Sequence, residues 1–387
     1  MQAFSGIRVI DFTHVLAGPF CTYQLAVMGA EVIKIESPRQ PDMMRAEGAS
    51  EALAQQQRGA HYLAQGANKK SLQVDLGSEQ GREIILQLIA SADVLVENFR
   101  YGVMQRYGLG YDDACAANPA LIYCSMTGFG HTGPKARHPA YDNVIQAFSG
   151  LMSHTGDAQS APVRVGPPVL DYGTGSQAAF AIAAALFQRQ QTDQGQHIDV
   201  AMLDAALMMM STSVIDTQIK GQPPQPPGNN SLTHPGYGCF DTPEGLIMIG
   251  AFTARQHADL WAAIGRDDMA EQVKSLDSHA LAARLPSDRA LLAEVLNTKP
   301  AQEWEDLLNN AGVPAARVRT LDEALAHPQV SSRQVLSEAQ AYSDEEADLQ
   351  APVAAFAYRH NGPSLQHHAP PRGSHTDEVL QQIGYSE

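Results

Sequence analysis

The order of apolar and polar residues along the first third of the chain is that of short strands alternating with helices. Residues 7–12 (IRVIDF) form an apolar run of strand length. Gly18-Pro19 then opens a helical pattern that lasts to about Met28, and after Gly29 the run EVIKIE at 31–36 returns to strand. A helix from Ser78 to about Ala90, the strand DVLVEN at 93–98 and LIYCSM at 121–126 continue the alternation. Such alternation predicts an α/β fold with a mostly parallel, Rossmann-like sheet covered on both faces. Residues 176–188 (SQAAFAIAAALFQ) and 200–210 (VAMLDAALMMM) are apolar nearly all round, which predicts two buried helices, with the methionines as core filler.

The texture changes at 221–238, where prolines and glycines make a stiff connector. The following CFDTPEGLIMIG predicts a hairpin turning at Pro243-Glu244-Gly245, and helical patterns occupy 255–265, 288–297 and 301–311. The expected organisation is a large domain over 1–200 completed by 325–387, a helix and linker over 201–224, and a smaller α/β domain over 225–320. His360, His367, His368 and His375 crowd the tail. Adjacent histidines beside Pro-Pro make poor metal geometry, so no metal site is expected and the tail reads as a solvated strap.

Composition narrows the function classes. With 44% hydrophobic and 18% charged residues in 387, the chain can bury a large core. No apolar stretch approaches the roughly 18 residues a membrane span needs. The opening MQAFSGIRVIDF has no basic n-region and reads as a first strand instead of a signal peptide. Cys21, Cys115, Cys124 and Cys239 form no CxxC pair, so reduced, mostly buried thiols in a cytoplasmic protein are expected. The net charge of −16 argues against nucleic acid or an anionic membrane as partner. Residues 1–110 carry only −1 of it, which points to the first third as the place where an anion docks.

Three chemistries fail on motif. A dinucleotide fold needs GxGxxG after strand one, and THVLAGPF offers only Gly18. There is no GxSxG elbow and no HExxH. Carboxylate chemistry remains, and VRVGPPVLDYGTGSQAAF (163–180) gives it a setting: Asp171 at the end of an apolar segment, followed by Gly173 and Gly175. A carboxylate there is costly to desolvate unless it is paired, hydrogen-bonded or used. Two readings stand at this point, a cap for the following helix and a reactive group with backbone N–H groups around the glycines as donors.

Ten runs in order along the chain make a resemblance plain. They are GIRVIDFTHVLAGPF (6–20), GAEVIKIESP (29–38), NKKSLQVDL (68–76), ADVLVENFRYGVMQRYGLGYD (92–112) and MTGFGHTGP (126–134), then PAYDNVIQAFSGLM (139–152), VLDYGTGS (169–176), GQHIDVAMLDA (195–205), AGVPAARV (311–318) and HTDEVL (375–380). Together they resemble the class III CoA-transferases, the superfamily of formyl-CoA:oxalate and carnitine CoA-transferases and α-methylacyl-CoA racemases. The resemblance implies an interlocked homodimer, with an acyl-CoA and a small carboxylic acid as substrates and no tightly bound cofactor. It makes Asp171 the nucleophile that attacks the thioester, giving a mixed anhydride and then an aspartyl-CoA thioester. An aspartate ionised at neutral pH needs no general base for this.

The same resemblance assigns the CoA site. Leu16 and Ala17 match the loop beside the thioester, and Val74, Asp75 and Leu76 a segment near the nucleotide. Asn98, Phe99 and Arg100 match the stretch beside adenine and phosphates, Arg106 a nearby polar contact, and Ala140 and Tyr141 a further wall. Arg39 lies within two residues of a family phosphate contact, where a guanidinium could form a charge-assisted pair. Two departures matter. The racemases shuttle a proton with a histidine where this chain has Tyr141, a poor shuttle at neutral pH, and His14 in the CoA loop suits a binding or structural role better than that of base. The formyl/oxalate branch has glutamine where this chain has Leu16, and a glycine run where it has GNNSLTHPGYG (228–238). Leu16 makes the thioester end apolar and suits an acyl group larger than oxalate, branched or dicarboxylic.

Overall fold

The computed structural model describes residues 1–385. They form two compact units, one of residues 1–151, 164–222 and 329–385, the other of 152–163 and 223–328. Residues 152–163 therefore group with the second unit, away from the large domain in which the sequence pattern left them.

The first unit is built on a six-stranded parallel sheet: β1 (Arg8–Asp11), β2 (Glu31–Glu36), β3 (Lys69–Gln73), β4 (Val94–Glu97), β5 (Ile122–Thr127) and β6 (Gln196–Ala201). The order is β3-β2-β1-β4-β5-β6, and all five pairings are parallel. Alternate residues feed opposite cores. Val9, Val32, Val94 and Cys124 face α1 (Ala17–Val27) and the long helix α4 (Val169–Thr192), meeting Cys21, Leu25 and Ile182. Ile10, Ile33, Leu95 and Tyr123 face α2 (Glu79–Ala90) through Ile85 and Leu88.

Two strands escaped the pattern. Strand β3 reads KKSLQ, yet Lys69 is buried because its Nζ reaches Asp11 Oδ2 at 3.0 Å and Thr22 Oγ1 at 2.7 Å. Strand β6 runs into α5 (Met202–Met209) and α6 (Ser211–Lys220), so the helix expected over 200–210 begins two residues late and a second helix follows it within the stretch expected as helix and linker. Nor are these helices buried in a single chain. Phe180 and Phe187 of α4 are 72% and 65% exposed, and Met208, Ile215 and Ile219 stand out from α5 and α6.

The tail is not a solvated strap throughout. His368 is buried, Ser71 donates its N–H to Nδ1 of His375 at 3.3 Å, and Val379 of the terminal helix Thr376–Gln382 packs into the sheet's second core. In the second unit the hairpin β7 (Tyr237–Asp241) and β8 (Leu246–Gly250) forms as expected and is joined by β9 (Ala315–Arg317). Its helices enclose Trp261 and Trp304, whose Nε1 donates to Leu296 O at 2.9 Å. Among the described residues no helix is long and apolar enough to cross a membrane.

Candidate active site

In an open parallel sheet, ligands bind beyond the carboxyl ends of the strands where the strand order reverses. Here the reversal lies between β1 and β4, and the segments that follow them, His14–Ala17 and Asn98–Arg100, face one cavity of about 240 Å³. Leu16, Ala17, Asn98, Phe99, Arg100, Ala140, Tyr141 and Asp171 all line it, with Met126 and Met202. A second cavity of about 400 Å³ shares His14, Val15 and Phe99 with the first and is lined further by Asp75, Leu76, Met43 and Tyr107. Three predicted residues line neither. Val74 is buried in the core, Arg39 extends into solvent and pairs with Asp75 at 3.3 Å, and Arg106 is exposed at the end of a short helical turn.

The loop between β1 and α1 is wound tightly. Val15 has φ +70°, a left-handed conformation that costs a β-branched residue ~1–3 kcal/mol. Asn98 grips the loop from β4, accepting from His14 N and donating to His14 O, both at 2.8 Å. Because the helix cap Leu16 supplies no side-chain bond, the amino end of α1 is open. Among the described residues no acceptor takes the N–H of Leu16, Ala17 or Gly18, and Leu16 and Ala17 line the cavity that holds Asp171.

Asp171 lies in the first turn of α4 and does not sit at a strand end. The helix begins at Val169, seven residues earlier than its apolar pattern suggested, and its capping residue Pro168 offers no side-chain acceptor. Asp142, from the first turn of α3 (Asp142–Ser149), takes that role: its Oδ2 accepts Leu170 N at 2.7 Å and Asp171 N at 3.1 Å. The capping carboxylate is thus Asp142, which leaves Asp171 free of that role. Gly173 and Gly175 lie inside α4, where their N–H groups belong to the helical ladder, so the donors expected around them are not available. Gly175 serves packing instead, since a Cβ there would come within 2.5 Å of Ala17 O.

Among the described residues no donor hydrogen-bonds the carboxylate of Asp171. Burial, and then the neighbouring Asp142, raise its pKa to about 7. The expectation of a carboxylate ionised throughout the neutral range is corrected accordingly: Asp171 holds its proton up to about pH 7 and becomes a stronger nucleophile once it loses it. Glu97, at the end of β4, is also raised to about 7 by burial, and its carboxylate accepts Phe99 N at 2.9 Å. Burial, with Lys34 nearby, holds His14 below the usual histidine range, and its ring packs 5.4 Å from that of Phe99.

Four residues that shape the site were not singled out from the sequence: Asp142, Glu97, Lys34 and Asp42. The signal for three of them was a charge in an apolar or motif context, in PAYDNV, DVLVEN and EVIKIE. Asp42 carried none.

The class defined by this fold and site is confirmed by comparison. Residues 4–376 match the model of CoA-transferase family III, and the chain belongs to that family. It is 36% identical over 334 residues to the acetyl-CoA:oxalate CoA-transferase of Acetobacter aceti, covering 86% of this chain and 85% of that one. It is 34% identical over 398 residues to the succinyl-CoA:mesaconate CoA-transferase of Haloarcula marismortui, covering 99% and 97%. A CAIB/BAIF family protein from Brucella suis superposes with a TM-score of 0.85 at 29% identity, covering 99% of each chain. The protein is an enzyme of the class III CoA-transferase type.

Proposed function

We propose that this enzyme moves CoA between dicarboxylic acids through a covalent thioester on Asp171. The observation that carries the reading is a half-buried carboxylate with no hydrogen-bond donor among the described residues, set in a cavity walled by the segments matched to CoA binding. The Asp171 carboxylate attacks the donor thioester carbonyl, and collapse of the tetrahedral adduct expels CoA as thiolate and leaves a mixed anhydride. The thiolate then attacks the aspartyl carbonyl, releasing the donor acid and forming the aspartyl-CoA thioester. The acceptor carboxylate repeats the two steps in reverse order and leaves as its CoA ester, regenerating Asp171. Each tetrahedral oxyanion needs donors, worth ~3–4 kcal/mol apiece when preorganised. The N–H groups of Leu16 and Ala17 replace those of the helical glycines in that role.

The thioester end lies in the first cavity and the nucleotide end toward the second, with Asp75 and Leu76 in its wall and Val74, Arg39 and Arg106 on its flanks. Leu16, Met126, Ala140 and Met202 give the reacting end an apolar surface. That surface favours acids of four or five carbons over oxalate, in keeping with the succinyl and mesaconate groups named for one relative. A second copy of the chain covers Phe180, Phe187, Met208 and Ile219 in an interlocked homodimer, because an apolar face of that extent is unfavourable in water. The enzyme works in the cytoplasm, with neither a nucleic-acid nor a membrane partner.

The test is turnover with succinyl-CoA and a panel of acids from oxalate to glutarate, run in deuterated water. Acceptor-dependent formation of new acyl-CoA, fastest with C4–C5 dicarboxylates, supports the proposal. Acceptor-independent entry of deuterium at the acyl α-carbon would replace it with the racemase reading, and activity confined to oxalate would overturn the assignment of acceptor.

A further inference from the structure

Beneath the cavity lies a charge pair that the chemistry above does not use. Lys34, from the middle of β2, and Asp42, just past its end, are 1% and 2% exposed and 3.1 Å apart. Neither side chain lines the cavity that holds Asp171. Both reach the β1–α1 loop from below: Lys34 Nζ donates to Thr13 O at 2.6 Å, and Asp42 Oδ1 accepts Val15 N at 3.2 Å. The same Oδ1 accepts Met44 N at 3.1 Å, and Asp42 N donates to Glu36 Oε1 at 3.2 Å, so the acceptor is fixed in turn.

The two contacts bracket the residue that most resists its conformation. Val15, at φ +70°, has Thr13 held on one side and its own N–H held by Asp42. The next two residues carry N–H groups with no acceptor among the described residues, and both line the cavity that holds Asp171. On the far side the loop is stopped by α4, where Gly175 lets Ala17 O approach one helical turn beyond Asp171. We infer that the buried Lys34–Asp42 pair is a positioning device for the transfer chemistry: it holds Val15 in the left-handed conformation that aims the Leu16 and Ala17 N–H groups at the carbonyl Asp171 attacks. This rests on the aspartyl-transfer reading. It adds that a pair outside the cavity sets kcat while leaving acyl-CoA affinity nearly unchanged, since none of the side chains matched to CoA belongs to the pair.

Asp42→Asn tests the device. An amide has one accepting end. Whichever way it turns, either Lys34 Nζ or the Val15 N–H meets an NH₂ group, and the clamp opens. The expected result is a fall in kcat of about 10²-fold, the scale of a misplacement near 1 Å, with the acyl-CoA KM within about threefold of wild type. Val15→Gly in the same background is expected to restore about tenfold of that loss, because glycine holds a positive φ without help. A pair needed only for folding would not be rescued this way. Should the Asn variant not fold, Asp42→Glu keeps a carboxylate for Lys34 while moving the acceptor for Val15, and kcat is again expected to fall at constant KM. Undiminished kcat in a folded Asp42 variant of a wild-type enzyme that does transfer CoA, or a loss that Val15→Gly leaves unchanged, overturns this inference alone. Absence of transfer by the wild-type enzyme overturns the underlying reading and this inference with it.

Discussion

Two sets of carboxylates withdrawn from water, Asp11 and Glu36 fully and Asp171 by half, sit in the same sheet unit and meet opposite fates. Asp11 and Glu36 are fully paired. Burial alone would raise both, but Lys69 and Lys34 beside Asp11, and Arg45 and Lys34 beside Glu36, outweigh it and bring each to about 2. Arg45 binds Glu36 through two nitrogens, Nε at 2.7 Å and Nη2 at 2.5 Å, and its guanidinium stacks over Tyr62. Asp171 is half-buried, with Asp142 nearby and no cation among the described residues to answer it, and rises to about 7. Pairing makes a carboxylate part of the frame, and its absence makes one a reagent held at a cost in stability.

The comparison breaks most sharply if Asp171 is removed. Asp171→Ala should lower kcat by ~10⁴-fold or more, the scale seen when a nucleophile is lost, with the protein still folded. Measurable transfer above a tenth of wild type would remove Asp171 from the mechanism. The paired set should respond in the other currency. Arg45→Met leaves Glu36 buried without its partner and should cost ~3–5 kcal/mol of unfolding free energy by urea titration. A loss below ~1 kcal/mol would show that the pair is not part of the frame.

A third variant ties the two sets together. The folded state raises the pKa of Asp171 from 3.8 to about 7, so the folded protein binds this proton more tightly than the unfolded chain. Stability from this group is complete below pH ~4, falls as pH rises and is lost above about 7. Asp171→Asn, which cannot ionise, should therefore be more stable than wild type by about 4 kcal/mol at pH 8, with the two curves converging below pH ~4. Equal stability at both pH values would contradict the raised pKa. The smallest effect is kinetic. The single-turnover rate of enzyme acylation should rise about tenfold between pH 6 and pH 8 and level off above about 7, following ionisation of Asp171.

Much of the frame is legible in the order of residues along the chain. Strands β1, β2, β4 and β5 are apolar runs bounded by turn residues, and buried parallel strands need no other code. Strand β3 was not legible, because Lys69 is tolerated only through Asp11, 58 residues earlier in the chain. The start of α4 was hidden for a similar reason. Two prolines and two glycines interrupt its pattern, and its cap, Asp142, comes from another helix. At the site, Asp171 was found through its setting and the family resemblance, and the fold brings it together with seven of the residues matched to CoA binding. Asp142, Lys34 and Asp42 act through contacts between segments distant in sequence, which no local pattern records.

The central claim is that Asp171 becomes covalently bonded to CoA. Mass spectrometry of the intact protein and its peptides, after mixing with succinyl-CoA, addresses it directly. The expected result is a CoA adduct on the peptide containing Asp171, discharged by an acceptor acid and absent in Asp171→Ala. Transfer to the acceptor with no adduct on that peptide at any time, or an adduct that persists in Asp171→Ala, would contradict it.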